Sequence, residues 1–288
     1  MLVWLNGRFV EARRARVSAL DRGLLHGDGL YDTWRTYGGT PFDTAAHLRR
    51  LATSARRLGF PPPGDARVWE ARARRLVRRN GLADAAIRLT MTRGATGEAL
   101  LPHRSGPPTL LLTVRPIPAD LVRQQERGIA CVRLPFPRDA AFPWGTMKLV
   151  GHMSAVAGRR TATARGAAEG LYVTAAGEVT EGTTSNLFAI DRGTLVTPPL
   201  SAGVLGGVTR DLVLRLARRL GLTVREAPLR SVRLDRCAEL FLTASTIEVL
   251  PVVRLDGRRI GAGRPGPVTR SLQAAYRAHV ARACARRA

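Results

Sequence analysis

The sequence predicts a mixed α/β fold arranged as two lobes. Three observations carry this. Short apolar, β-branched runs alternate along the chain with longer segments whose apolar residues recur at helical spacing. A Pro-rich stretch, PIPAD at 116–120, falls near the middle and reads as a linker. A chain of 288 residues that is 45% hydrophobic can bury two medium-sized cores. The expected division is an N-terminal α/β domain over 1–115, a linker over 116–122 and a C-terminal domain over 123–288. Small-molecule sites often lie in the cleft between two such lobes.

The elements follow in order. LVWL, the turn Asn6-Gly7 and RFV read as a hairpin. The glycine-bearing loop DRGLLHGDG (21–29) feeds the strand LYDTWRTY, which alternates Tyr31, Thr33 and Arg35 on one face with Asp32, Trp34 and Thr36 on the other. A helix is expected over 44–58, with Asp43 as N-cap, Gly59 as stop and Leu48, Leu51, Ala52, Ala55 and Leu58 as its core stripe. Arg50 flanks that stripe, one turn from His47. A second helix is expected over 67–79, then the strands AIRLTMT and TLLLTVR, joined by RGATGEALLPHRSGPP. Beyond the linker, IACVRL, LYVT, LFAI, LVT, TVREA and ELFLT read as strands, and 149–165, 210–220 and 267–284 as helices. VVRLDGRRI is a hairpin turning at Asp256-Gly257.

The formal charge of +24 raises the possibility of nucleic-acid binding. Against it, the arginines are scattered over what look like the exposed faces of helices, as in ARARRLVRR, and aromatics are only 5% of the chain, too few for stacking platforms. Attraction for small anions is the better inference. Cys131, Cys237 and Cys284 are odd in number and widely spaced, which suits buried thiols in a reducing cytoplasm. The five histidines show no metal-ligand spacing, so no metal is expected. No apolar run approaches the ~18 residues of a membrane span, and the first residues lack the pattern of a signal peptide, so no membrane partner is expected.

Among the 46 Lys and Arg residues there is one lysine, Lys148. Arginine stays protonated and cannot form a Schiff base, whereas lysine can, which makes Lys148 a catalytic candidate; an Arg-rich composition alone could also leave one lysine behind. In SAGVLGGVTRDLVLRLARRLGL, Gly203, Gly206 and Gly207 precede Val208-Thr209 and a helix, with Thr209 as natural N-cap. This is either an anion site at a helix start or an ordinary capped helix, and its spacing matches neither the dinucleotide fingerprint nor the P-loop. Glu181 ends a short strand in GEVTEGTTSNLFAI, as a turn acid or as a carboxylate aimed at a cofactor ring. Ala244, Ser245 and Thr246 follow a strand in LTASTIEVLPV, with small side chains suited to phosphate oxygens.

Lys148, Glu181, Gly207-Val208-Thr209 and Ala244-Ser245-Thr246, in this order and behind DRGLLHGDGLYDTWRTYGGTPFDTAAHLRRL, give a chain that resembles the fold-type IV pyridoxal-phosphate enzymes, or class IV aminotransferases. That family includes branched-chain and D-amino-acid aminotransferases and aminodeoxychorismate lyase. The resemblance implies a two-lobed fold with a smaller N-terminal domain and a larger, pseudo-barrel C-terminal domain that binds pyridoxal 5′-phosphate. It implies that Lys148 holds the cofactor aldehyde and that Glu181 bonds the ring nitrogen and keeps it protonated. Arg50, Gly207, Val208, Thr209, Ala244 and Ser245 are implied at the phosphate, and Tyr31 in the substrate pocket, with Arg35, Arg88 and Thr246 as further substrate candidates. The implied activity is ping-pong amino transfer between an amino acid and a 2-keto acid, in a cytoplasmic homodimer. The alternatives are aminodeoxychorismate lyase chemistry, releasing pyruvate and 4-aminobenzoate, and a basic nucleic-acid-binding protein.

The chain departs from the family in two places. Gly151 stands three residues after the lysine where members often have Asn, followed by His152, a pocket group or a helix-start residue. In the loop that supplies cations for the substrate carboxylate of D-amino-acid enzymes, the comparable place holds Glu98, with His103 and Arg104 later.

Overall fold

The alternation of Asp32, Trp34 and Thr36 with Tyr31, Thr33 and Arg35 places a carboxylate on the side of a strand that packs against a helix, and the first half of the fold is built around it. The computed structural model describes residues 1–97, 99–101, 106–137 and 144–286. The chain forms two compact units: Met1–Ile117 with Met147–Gly151 and Arg282–Ala288, and Pro118–Thr146 with His152–Ala281.

In the first unit, β1 (Leu2–Leu5) and β2 (Arg8–Glu11) form the hairpin. Asn6 and Gly7 take φ of 44° and 97°, as a two-residue turn between twisted strands requires. Then come α1 (Arg22–Leu25), β3 (Gly29–Tyr37), β4 (Thr40–Pro41), α2 (Thr44–Arg57), α3 (Ala66–Arg79), β5 (Ala85–Thr92) and β6 (Thr109–Pro116). The six strands make one antiparallel sheet in the order β2-β1-β6-β5-β3-β4. α3 packs on β1, where Trp69 meets Trp4 edge to face with centroids 5.0 Å apart.

Two details differ from expectation. The loop 21–29 contains the short helix α1, because Asp21 accepts from the Gly23 N–H and caps it. Asp43 does occupy the N-cap position of α2, but at φ 52° its side chain makes no capping bond. An N-cap side chain reaches back over the first turn from an extended backbone, as Asp65 does for α3 by accepting from the Arg67 N–H at 2.8 Å.

The arginines of α3 account for part of the charge. Arg72 lies 4.4 Å over Trp4 and 4.6 Å over Trp69, and Arg75 lies 4.8 Å over Phe9. Their planar groups cover aromatic surface and keep the charge in water.

The second unit contains α4 (Leu121–Arg127), β7 (Ile129–Arg133), α5 (Met153–Ala164), β8 (Glu169–Val173), β9 (Glu178–Gly182), β10 (Asn186–Asp191), β11 (Thr194–Thr197), α6 (Val208–Arg219), β12 (Val224–Glu226), β13 (Leu229–Arg230), β14 (Glu239–Ala244), β15 (Glu248–Leu255), β16 (Arg258–Arg259) and α7 (Pro267–Ala285). The main strand order is β12-β11-β10-β14-β15-β7-β8-β9-β13. An additional pairing of β9 with β10 closes β10-β14-β15-β7-β8-β9 into a ring, a barrel-like sheet. Cys131, Leu171, Leu187, Ala189, Leu240, Leu242, Leu250 and Val252 belong to its buried core cluster.

Here too some ends shift. α5 begins at Met153, not 149, because the residues before it run extended alongside β3. α6 begins at Val208 with Gly207 at the N-cap, so Thr209 is its second residue rather than its cap. The short helix α4 was not expected; its seven residues are mostly polar or charged and leave little apolar periodicity to read. Among the described residues no helix is long and apolar enough to cross a membrane.

Leu242 is fully buried on β14, a strand of the ring, whereas Leu220, after α6, is 47% exposed. Leu242→Ala is expected to cost about 2–5 kcal/mol in urea unfolding and Leu220→Ala less than about 1 kcal/mol. Equal losses would mean that the ring is not the stabilising core of this unit.

Candidate active site

Lys148 is fixed first through its backbone. Met147–Gly151 runs antiparallel beside the start of β3: the Tyr31 N–H donates to the Lys148 carbonyl at 2.9 Å, and the Val150 N–H donates to the Gly29 carbonyl at 3.0 Å. Gly29 permits this approach, since a Cβ there would lie 2.9 Å from the Met91 carbonyl oxygen and 3.2 Å from the Val150 side chain. The lysine side chain then runs to Tyr31. Its Nζ donates to the phenol oxygen at 3.3 Å and lies 4.8 Å from the ring centroid.

The Arg88 guanidinium lies 3.7 Å from the same centroid, and its Nε donates to the Thr90 hydroxyl at 3.1 Å. The β3–β5 register pairs Tyr31 with Thr90 and Thr33 with Arg88, so these residues share one sheet face. Burial pushes the Tyr31 phenol up to about 12, against the opposing pull of Arg88, so the hydroxyl keeps its proton at neutral pH. Lys148, Tyr31 and Arg88 are thus brought together. Arg35 is not part of this group: it is buried, with its guanidinium 4.2 Å over Tyr37 and 3.9 Å from Asp84.

The opposite face of β3 carries Asp32. Arg50 donates to it through Nε at 2.9 Å and Nη2 at 2.8 Å, a two-pronged contact, and His47 Nδ1 lies 2.7 Å from Oδ1. Trp34 stacks on the His47 ring at 6.0 Å. Burial by itself would raise the Asp32 pKa, but the charge of Arg50 and the hydrogen bonds from His47 and Arg50 outweigh it and hold the carboxyl well below the usual range. Burial lowers the pKa of His47 despite Asp32, so the ring is neutral at pH 7 and its Nδ1–H donates to the carboxylate. The Arg50 plane is therefore set by Asp32.

A depressed folded-state pKa contributes stability that is present above the unfolded value of about 3.9 and is lost as pH falls through the folded value. Asp32→Asn also leaves the half-buried Arg50 with a neutral partner and is expected to cost about 3 kcal/mol at pH 7, the low end for breaking a buried pair. Its deficit relative to the parent is expected to shrink in urea unfolding at pH 3. A deficit that stays constant between the two pH values would remove the ion pair as its cause.

In the second unit Glu181 is the next-to-last residue of β9 and pairs with Asn186, the first residue of β10. The carboxylate is buried, and its Oε2 accepts from Asn186 Nδ2 and from the Leu205 N–H, both at 3.0 Å. The turn between the two strands is held by another buried carboxylate, Glu169. That group accepts from the Gly170 N–H at 2.9 Å, the Thr183 N–H at 3.3 Å, the Thr183 hydroxyl, the Ser185 hydroxyl at 3.4 Å and Arg159 Nη2 at 2.8 Å.

Gly207, Val208 and Thr209 form the start of α6, whose first-turn N–H groups have no helix carbonyl to bond. Ala244 ends β14, and Ser245 and Thr246 follow in the turn to β15. The two segments meet: the Thr209 and Ser245 hydroxyls are 3.4 Å apart. His152 sits at the N-cap of α5 with no side-chain capping bond, and a Cβ on Gly151 would have nothing within 4 Å. Glu98, His103 and Arg104 lie outside the described residues, and among those described no cluster of His, Cys, Asp and Glu could hold a metal ion.

Sequence reasoning missed Asp32, Asn186 and Glu169. Asp32 had a signal, a charge on the strand face shared with Trp34, which demands a buried partner. Asn186 stood inside a segment singled out for Glu181, and Glu169 had no local signal.

Residues 29–255 match the family model for class IV amino-transferases. A Methanocaldococcus jannaschii protein with a provisional branched-chain-amino-acid aminotransferase name is 35% identical over 277 residues, 96% of each chain. The Bacillus licheniformis D-alanine aminotransferase is 31% identical over 278 residues, 96% of this chain and 95% of its own. Among solved structures, the T.th. branched-chain amino acid aminotransferase with pyridoxamine 5′-phosphate superposes with a TM-score of 0.89 at 30% identity, covering 97% of this chain and 93% of its own. With matches over nearly its whole length, a barrel-like second unit and a lysine pinned beside β3, the chain belongs to the class IV aminotransferases, pyridoxal-phosphate-dependent transferases of fold type IV.

Proposed function

We propose that the chain moves amino groups between an amino acid and a 2-keto acid with Lys148 as the reacting amine. The observation that carries this reading is Lys148 itself: the one lysine of the chain, fixed by strand pairing, with Nζ at the Tyr31 hydroxyl.

The donor set suits pyridoxal phosphate. Lys148 offers a primary amine for the aldehyde, and Glu181 a buried carboxylate for the ring nitrogen. Arg50, the start of α6 at Gly207-Val208-Thr209 and the Ala244-Ser245 turn offer N–H and O–H donors for the phosphate. When bound, pyridoxal phosphate supplies an electron sink that lets a substrate Cα–H bond break. Lys148 Nζ would hold the cofactor aldehyde and, when free, would serve as the general base for the substrate Cα proton. The protonated Tyr31 hydroxyl stays within hydrogen-bonding range of that nitrogen and orients it. Glu181 would hold the ring nitrogen in its protonated form.

Arg88, on the same face as Tyr31, is the cation we assign to a substrate carboxylate, with Thr246 near the turn as a further contact candidate; Arg35 is the weaker choice because Tyr37 and Asp84 engage it. A homodimer fits the exposed Leu24, Leu25, Leu100 and Leu101, which Arg22 holds near one another by donating to the Ala99 and Leu100 carbonyls. Cytoplasmic residence suits the buried thiols of Cys131 and Cys237.

Mixing the apoprotein with pyridoxal phosphate is expected to give the long-wavelength absorption of lysine-bound cofactor, and Lys148→Ala to abolish it and lower kcat/KM more than about a thousandfold. A Lys148→Ala protein that keeps full activity would sink the proposal. A panel of L- and D-amino acids, with the keto acid product identified, assigns the donor. Pyruvate and an aromatic amine formed from aminodeoxychorismate would place the chain with the lyases instead. Arg88→Ala is expected to raise KM for a dicarboxylic amino acid about tenfold or more with a smaller change in kcat. An unchanged KM would remove Arg88 from substrate binding.

A further inference from the structure

We infer that Asn186 is a positioning residue that couples the Glu181 carboxylate to the start of α6, so that the ring end and the phosphate end of the cofactor are bound as one unit. The inference rests on the reading of Glu181 and α6 given above.

Asn186 is buried, and its one amide nitrogen makes two bonds, to Glu181 Oε2 at 3.0 Å and to the Leu205 carbonyl at 2.8 Å. Both partners are acceptors, which fixes the NH2 end of the amide on this side. The Leu205 N–H returns to the same Glu181 oxygen at 3.0 Å. Carboxylate, amide and loop backbone thus form a closed hydrogen-bonded cycle. The far end of the amide touches the next landmark: a Cβ on Gly207, the N-cap of α6, would overlap Asn186 Oδ1. One side chain therefore bridges the ring-nitrogen carboxylate and the two residues that lead into the phosphate helix.

This bridge is not needed to close the sheet. The backbone already pairs Glu181 with Asn186, and Glu169, with Arg159, Thr183 and Ser185, holds the intervening turn. What the amide adds is the connection to Leu205 and Gly207. A carboxylate locked by two donors, one of them supplied by the loop before α6, cannot shift without moving that loop, and the converse also holds.

The test measures binding of three probes to the apoprotein by calorimetric titration: inorganic phosphate for one end, pyridoxal for the other, and pyridoxal phosphate for both. Asn186→Ala is expected to weaken all three by about tenfold or more and to shift the absorption maximum of the bound cofactor. Asn186→Asp keeps the volume, removes both N–H donors and sets a second carboxylate against Glu181; it is expected to act in the same direction if the alanine variant does not fold. Thr183→Val loosens the turn on the Glu169 side without touching the amide and is expected to hold phosphate affinity within about twofold. Parental affinity for inorganic phosphate in both Asn186 variants would overturn the coupling, as would a loss in Thr183→Val equal to that in Asn186→Ala. Failure of the parent protein to take up pyridoxal phosphate is a separate outcome, which removes the cofactor reading itself.

Discussion

A run of strands becomes a barrel only where its first and last members pair, and here β10 and β9 close the ring through Asn186 opposite Glu181. The ladder is short because Asn186 opens β10 and Glu181 is next to last in β9, and the turn joining the two strands is three residues long. So short a seam leaves polar groups that backbone pairing alone does not satisfy, and buried polar groups without partners are costly. The Glu181 carboxylate meets Asn186 and the Leu205 N–H; the Thr183 N–H and hydroxyl meet Glu169. The closure of the ring thus also holds a rigid, buried carboxylate near the end of a strand, as the role proposed for Glu181 would need.

Other interior carboxylates follow the same rule by two routes. Some are met by neutral donors. Asp21 takes the Gly23 N–H and the Thr92 and Thr109 hydroxyls; Glu239 takes the Val268 and Thr269 N–H groups and so caps α7 from another strand. Others are met by arginine, as Asp32 is by Arg50 and Glu169 by Arg159. The routes have different consequences. Neutral donors fix a helix start or a turn, whereas Asp32 also fixes a cation, because a carboxylate that grips Nε and Nη2 leaves the guanidinium plane no freedom.

Much of the local structure was legible. Asn6-Gly7 and Asp256-Gly257 signal tight hairpins because few other pairs tolerate the left-handed backbone, and both turns are present. The alternation through Tyr31 to Thr36 gives the two faces of β3, and the leucine stripe gives α2. What was not legible is non-local. Nothing within 178–191 says that β9 must pair with β10 to close a ring, since that depends on four other strands lying between them. Nor does the local sequence show that 147–151 runs beside β3, and so the helix reading began four residues too early. The choice between Gly207 and Thr209 as N-cap, and the failure of Asp43 to cap, turn on the backbone angle at which the chain enters the helix, which residue type alone does not determine.

The contrast between Lys148 and the arginines is one of chemistry set against geometry. Arg22 donates to the Gly97, Ala99 and Leu100 carbonyls and to Asp28; Arg93 donates to Asp28 and to the Leu58 and Gly59 carbonyls. Each uses the breadth of the planar fork to tie several segments at once, and a lysine, with one nitrogen at the end of a flexible stem, could not reproduce that. At 148 the requirement is reversed. The backbone is already fixed by β3, so the side chain need not organise its surroundings; in the role proposed for it, it would present one nitrogen able to lose its proton and bond to a carbonyl carbon. A guanidinium in the same place would satisfy Tyr31 equally well and do none of this, because it stays protonated. In a chain that uses arginine for structure, the lysine stands at the position proposed to need a cation that can become a nucleophile.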